Sequence, residues 1–207
     1  TYTSYYLQRP RGGVWSQAEV LTDACRWPKL TLDVSGTLHT VGLQYVHGDV
    51  DYAIVHKLRT PGGDWTAAER IPGALVPGSA IPVSMVDSAG RLHVLWDCYP
   101  CWAVGTTYHA TRTADGHWTT GPGPAVSWTR LNDRYLRAAI GPGDVMHSVW
   151  YDGAISNGPQ DSLKLMYSRK LPGALWSAPV QLAAAQGYEV LREAPLLLVG
   201  QRAEVCV

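Results

Sequence analysis

The sequence lacks phenylalanine, net charge and long apolar runs, and the last two absences exclude classes of protein. Its 207 residues include 17 basic and 17 acidic side chains. The chain therefore lacks the excess of positive charge that would point to a nucleic-acid partner. No run of about 18 apolar residues occurs, so we expect no membrane-spanning helix. Charged residues are only 16% of the chain and hydrophobic residues are 46%, which excludes intrinsic disorder.

The aromatic residues that are present are 9 Trp and 11 Tyr. Both carry a polar atom, which suits half-exposed positions and binding surfaces. The chain also holds 21 Gly and 14 Pro, and alternating apolar segments separate them. This composition predicts many short strands joined by turns.

Two motifs recur in a fixed order along the chain. The sequence Gly-x-Trp-Ser/Thr, or a close variant, occurs four times, at Trp15, Trp65, Trp118 and Trp176. Between these copies, a turn motif followed by Leu-His or Met-His places histidines at 39, 93 and 147, each 54 residues after the last. A period of about 50 residues is typical of β-propeller blades, which contain four strands each.

Each repeat is predicted to contain strands a, b, c and d, with units at about 5–51, 52–107, 108–164 and 165–207. Strands a and b are apolar on both faces, whereas strands c and d alternate and fit an outer position. Strand d is expected to begin at each repeated Trp. The predicted copies of strand a are Leu30–Leu32, Ile81–Val86, Leu136–Ile140 and Pro195–Val199. Those of strand b are Leu38–Leu43, Leu92–Trp96, Met146–Tyr151 and Ala203–Val207. Those of strand c are Tyr5–Gln8, Tyr52–Leu58, Tyr108–Thr113 and Leu165–Arg169.

The repeats resemble those of sialidase-like propellers, also called BNR or Asp-box repeats. The copy closest to the Asp box is Thr113-Ala-Asp115-Gly116-His-Trp118, and the others lack its Ser/Thr and Asp pair. The resemblance implies an all-β propeller of about four four-stranded blades, either closed by itself or part of a six- or seven-bladed ring. Closure as four blades predicts that the strands around Tyr5 and Cys206 share a sheet.

Turn lengths predict which face binds. The a-to-b and c-to-d turns are short, whereas the b-to-c and d-to-a connections are long and variable, and variable loops on a rigid scaffold carry function. The predicted long connections are Gln44–Asp51, Asp97–Thr107, Asp152–Lys164, Thr22–Pro28, Pro72–Ala80, Gly121–Asp133 and Ala183–Arg192. Candidate ligand-binding residues on this long-connection face are Arg26, Trp27, Tyr99, Trp102, Trp128, Arg130, Arg134 and Tyr188. The alternative is that these aromatic residues only pack the loops down.

Cysteine and histidine favour structural roles. Cys98 and Cys101 are predicted to form a loop disulfide in an oxidising compartment. Cys25 and Cys206 form either a second bridge or two free buried thiols. Each repeated histidine is expected to bond a neighbouring backbone or hydroxyl group rather than a metal.

Acidic residues give no metal or cofactor site that we can assign. Asp97 and Asp152 are expected to be solvated loop acids, with a place at the mouth of the ring as the alternative. The polar loop 151–161 has oxygens for a structural Ca²⁺ but no EF-hand spacing, so a plain surface loop is favoured.

The function expected from these features is a non-catalytic, extracellular binding or structural module, with a glycan or a protein as its partner. The alternative is a sialidase-like glycoside hydrolase or polysaccharide lyase domain, and no catalytic residue can be assigned for it. Neither Arg70-Ile71-Pro72 nor Tyr188-Glu189 with Arg192 fits the pattern that sialidases share. A third possibility is one subunit of an assembly that completes the propeller.

Overall fold

The structure is a computed structural model that describes residues 3–23, 25–47, 51–77, 81–97, 107–124, 136–154, 162–186, 196–199 and 203–206. These ranges contain sixteen β-strands and one turn of 3-10 helix, Pro142–Asp144, so the all-β prediction is confirmed. No helix within them has the length and apolarity needed to cross a membrane. The strands are β1 Thr3–Tyr6, β2 Glu19–Asp23, β3 Cys25–Leu32, β4 Leu38–His47, β5 Asp51–Arg59, β6 Glu69–Pro77, β7 Val83–Val86, β8 Leu92–Asp97, β9 Thr107–Arg112, β10 Trp118–Pro122, β11 Arg137–Ile140, β12 Met146–Ala154, β13 Ser162–Lys170, β14 Val180–Gln186, β15 Leu196–Val199 and β16 Ala203–Cys206.

The strands form five antiparallel sheets in chain order. The first sheet (β3–β6), the second sheet (β7–β10) and the third sheet (β11–β14) have four strands each, and every strand pairs with its neighbours in sequence. The N-terminal pair (β1–β2) and the C-terminal pair (β15–β16) form two-stranded sheets. The predicted order of strands a to d is therefore present, but as three complete units and two half units rather than four blades.

The two half units do not combine into one sheet, so the alternative of four-bladed closure is wrong. Strand β1 pairs with β2, and β15 pairs with β16, in separate sheets. The reason is their position in the row, because β1 contacts β3 of the first sheet, whereas β15 contacts β11 and β12 of the third. The pairs thus lie at opposite ends of the row of sheets.

The sheets are joined through their first strands and through apolar side chains between their faces. Strand β3 contacts β7, β7 contacts β11, and β11 contacts β15. Every residue of β8 is buried, as predicted for a strand with apolar neighbours on both faces. Trp96 packs between the first and second sheets and Trp150 between the second and third, and each is at most 1% exposed. Burial of each such side chain contributes about 1.5–3 kcal/mol.

The turns between the first and second strands explain the Asp-x-x-Gly motif. Asp33 Oδ1 accepts hydrogen bonds from the backbone N–H groups of Ser35 and Thr37, at 2.9 and 2.8 Å. Asp87 makes the same pair of bonds in the second sheet. Gly36 follows at φ 83°, a left-handed conformation that favours glycine. The motif therefore specifies a turn.

The Ser/Thr of the Gly-x-Trp-Ser/Thr motif closes the connection between the third and fourth strands. Thr66 donates its N–H to the Leu58 carbonyl at 2.9 Å, and its Oγ1 accepts the Leu58 N–H at 3.1 Å. Ser177 makes the same two bonds with Arg169 at 2.8 and 3.1 Å. A side-chain hydroxyl thus replaces one backbone acceptor of the ladder.

This closure corrects the predicted start of the fourth strands. Trp65 and Trp176 form only isolated bridges, with Arg59 and Lys170. The ladder resumes three residues after the residue that carries the hydroxyl, so β2, β6 and β14 each begin four residues after their Trp. Only β10 begins at its Trp, because a tight turn at 113–117 keeps Trp118 paired with Arg112.

Three of the predicted long connections are largely strand. Strand β4 continues to His47 and β5 begins at Asp51, only residue 24 separates β2 from β3, and β6 continues to Pro77. Tyr45 packs against Tyr52 with ring centroids 4.4 Å apart, and the β4–β5 pairing extends through both residues at this end. Most of the other predicted long connections lie outside the described residues.

Candidate functional site

A β-bulge at the start of β3 presents Trp27 on the long-connection face. The register with β4 shifts between Arg26 and Lys29, and Trp27 lies in the bulge at φ 49°. A bulky side chain in this left-handed conformation costs about 1–2 kcal/mol. Trp27 is 42% exposed, so burial does not account for the conformation. Strained residues of this kind are concentrated at functional sites.

Arg26 lies beside Trp27 but is held within the sheet. Its guanidinium carbon is 5.0 Å from the ring centroid of Tyr45 and 5.7 Å from that of Tyr52. Its Nη1 donates a hydrogen bond to the Tyr52 hydroxyl at 3.1 Å. Arg26 therefore braces the base of the bulge, and Trp27 is the group presented to solvent. Tyr45 and Tyr52 were not among the predicted site residues, although their pairing at one strand end could have signalled them.

The remaining candidates stay predictions. Tyr99, Trp102, Trp128, Arg130, Arg134 and Tyr188 lie outside the described residues, as do Cys98 and Cys101. Cys25 belongs to β3 and Cys206 to β16, which are strands of separate sheets.

Asp97 and Asp152 are not solvated loop acids, which corrects the prediction. They are 3% and 7% exposed and lie within β8 and β12. Both strands extend further than predicted and are covered by neighbouring sheets. The two carboxylates most readily assigned to chemistry at the ring mouth are therefore part of the sheet interior.

His39 begins a chain of polar contacts that crosses the first sheet. Its Nδ1 is 3.0 Å from Nε2 of His56, and Nδ1 of His56 is 2.8 Å from Oε1 of Glu69. The other ring nitrogen of His39 lies 3.5 Å from Asp33. Burial lowers the pKa of His56 to about 4, despite the opposing effect of the hydrogen bond to Glu69.

The second sheet repeats this chain with one member fewer. His93 lies 3.1 Å from Asp87 and 3.0 Å from Nε2 of His109. Burial, with the positive charge of nearby groups, lowers the pKa of His109 to about 3. In the third sheet His147 bonds the Tyr167 hydroxyl at 2.8 Å.

The repeated histidines therefore have internal partners, as predicted. For two of the three, however, the partners include a second histidine, because His39 contacts His56 and His93 contacts both His109 and, at 3.2 Å, the hydroxyl of Thr111. Among the described residues, no group of three or more His, Cys, Asp or Glu side chains is arranged to hold a metal ion.

Each repeated Trp after the first packs against the sheet that precedes it. Trp65 meets Tyr6 edge-on at 5.4 Å, and Trp118 meets His56 at 5.6 Å. Trp176 meets His109 at 6.1 Å. We call each of these contacts a Trp junction. Trp65, Trp118 and Trp176 therefore pack neighbouring sheets together.

An ion pair accompanies two of the three Trp junctions. Arg59 Nη1 donates to Glu19 at 2.9 Å, and Arg112 Nε donates to Glu69 at 2.9 Å. The arginine belongs to the later sheet and the glutamate to the earlier one. The first two Trp junctions therefore each contain an Arg–Glu ion pair between successive sheets.

A scan against models of known protein families found no match, and a search of curated proteins found no relative. The resemblance to sialidase-like repeats therefore rests on the motifs and their spacing. The function has to be argued from the geometry of the chain itself.

Proposed function

We propose that the chain is a non-catalytic binding module built as an arc of β-propeller blades of the sialidase-like type. Two observations support the propeller. The first strands of successive sheets contact one another, and three Trp junctions repeat the same edge-on geometry. A row of sheets related by one repeated contact is what the arc of a propeller requires.

The exposure of Trp15 supports a ring larger than this arc. The Trp of every later unit is at least partly covered by the preceding sheet, whereas Trp15 is 62% exposed. A further sheet placed against the N-terminal pair would cover it. The proposed ring therefore contains more sheets than this arc, supplied by further repeats or by another subunit, in keeping with the six or seven blades that the resemblance implies.

Trp27 is the observation that carries the binding function. It is a large, exposed aromatic side chain in a strained conformation, on the face where the inner strands begin. Aromatic rings of this kind stack on sugars and anchor protein interfaces. We propose that this face engages a glycan or a protein partner outside the cell.

A glycan array with three proteins tests this proposal. The wild type and Trp15→Ala should bind the same glycans, because Trp15 lies at the edge of the arc and not on the binding face. Trp27→Ala should bind at least about tenfold more weakly. Unchanged binding by Trp27→Ala would contradict the assignment of the face, and release of sugar products by the wild type would contradict a non-catalytic module.

A further inference from the structure

The Trp junction between the second and third sheets lacks the carboxylate that the other two contain. At each Trp junction, the Trp of one sheet contacts a ring on the third strand of the preceding unit. One residue on the fourth strand of that preceding unit is paired with the residue that carries this ring. That residue is Glu19 in the N-terminal pair, Glu69 in the first sheet and Gly121 in the second. The repeat therefore places a glycine where the other junctions place a glutamate.

Glu69 shows what this carboxylate does. Its Oε1 lies 2.8 Å from Nδ1 of His56 and 2.9 Å from Nε of Arg112, so it joins two groups from neighbouring sheets. The equivalent groups at the next junction are His109 and Lys170. His109 contacts its histidine partner through Nε2, as His56 does, so its Nδ1 corresponds to the nitrogen that meets Glu69.

Lys170 has no carboxylate partner among the described residues, since none of the ion pairs between them includes it. Partial burial and the nearby Arg91 guanidinium lower the pKa of Lys170. Arg91 itself is paired with Asp87 at 2.6 Å. Lys170 is thus a partly buried cation with a second cation nearby.

The space beside Gly121 is an open groove of about 460 Å³, which we call the Lys170 groove. It is lined by His109, Thr119, Thr120, Lys170 and the indole of Trp176, among others, and none of its described lining residues is acidic. A Cβ atom added at Gly121 would meet nothing within 4 Å. The volume is in the range of sites that bind small molecules.

We propose that the Lys170 groove binds a small organic carboxylate. The carboxylate group takes the place that Glu69 has at the preceding junction and accepts a hydrogen bond from Lys170, close to His109. The body of the ligand packs against Trp176, with the threonine hydroxyls at the rim. A charge-assisted hydrogen bond in a partly buried groove supplies both orientation and selection for the anion.

Butyrate is the probe, because its four carbons match a glutamate from Cα to the carboxyl carbon, and butyramide is its neutral counterpart. Isothermal titration calorimetry on the wild-type protein should detect saturable binding of butyrate at one site. Butyramide should bind at least about tenfold more weakly, because it cannot form the charge-assisted bond. No saturable binding of butyrate, or equal binding of both compounds, would overturn the proposal.

Two pairs of variants locate the site. Lys170→Met should weaken butyrate binding at least about tenfold, whereas Lys164→Met, an exposed lysine on the same strand, should not. Gly121→Glu should abolish binding and raise the thermal unfolding midpoint, because it supplies the missing carboxylate. Val180→Glu, at the equivalent position of the third sheet, should change neither butyrate binding nor the thermal unfolding midpoint. Butyrate binding that survives both Lys170→Met and Gly121→Glu would overturn the assignment.

Discussion

Replacing Glu69 with alanine tests whether the polar chain of the first sheet stabilises the stack of sheets. Glu69 is 42% exposed, so its ion pair with Arg112 contributes at most about 1 kcal/mol. His56 is only 1% exposed, and removing its partner leaves a buried ring nitrogen unsatisfied, at about 1–3 kcal/mol. We therefore expect Glu69→Ala to lower the free energy of unfolding by about 2 kcal/mol.

Glu19→Ala is the matched control for this variant. Glu19 occupies the equivalent strand position and pairs with Arg59, but the ring beside it is Tyr6, which bonds Gln8 instead. Its loss should therefore cost only about 0.5–1 kcal/mol. Urea unfolding at pH 7 compares the two variants through their midpoints at a common slope. Equal losses, or no loss in Glu69→Ala, would refute the role given to His56.

Three further predictions concern the bulge, the buried histidines and the repeated hydroxyl. Trp27→Gly should not lower the urea midpoint, since glycine adopts a positive φ without strain; a loss above about 1 kcal/mol would show that Trp27 is retained for stability. The folded-state pKa values of His56 and His109 are about 4 and about 3, which lie below the value in the unfolded chain. The free energy of unfolding should therefore decrease as the pH falls from about 6.5 to 4. This loss should be smaller in His109→Gln, and a flat pH profile would contradict the burial. Thr66→Ala should cost about 1 kcal/mol in urea unfolding because the Leu58 N–H loses its acceptor, whereas Thr66→Ser should be neutral.

The repeat and the strand order could be predicted from the sequence because each motif has a local physical cause. Asp33 and Gly36 specify a turn, and the hydroxyl of Thr66 bonds the backbone of Leu58, eight residues earlier, so both signals are read within one unit. Strand ends were predicted less well. Where β4 ends and β5 begins depends on the packing of Tyr45 against Tyr52 on the adjacent strand, which neither strand specifies alone.

The site could be predicted only in part, since it depends on contacts between units. Trp27 was expected on the binding face, but its left-handed conformation follows from a bulge in the β3–β4 register. Asp97 and Asp152 looked like loop acids because their burial depends on the neighbouring sheets. The significance of Gly121 emerges only when strand registers align it with Glu69.

A double-mutant cycle on one Trp junction tests directly whether successive sheets stack on one another. His56→Ala, Trp118→Ala and the double variant are compared by urea unfolding, with His56 and Trp176, which belong to different junctions, as the control pair. Sheets stacked as successive blades predict a coupling energy of about 0.5–1.5 kcal/mol for His56 with Trp118 and none for the control pair. Absence of coupling between His56 and Trp118, or equal coupling in the control, would contradict the stacking of the sheets.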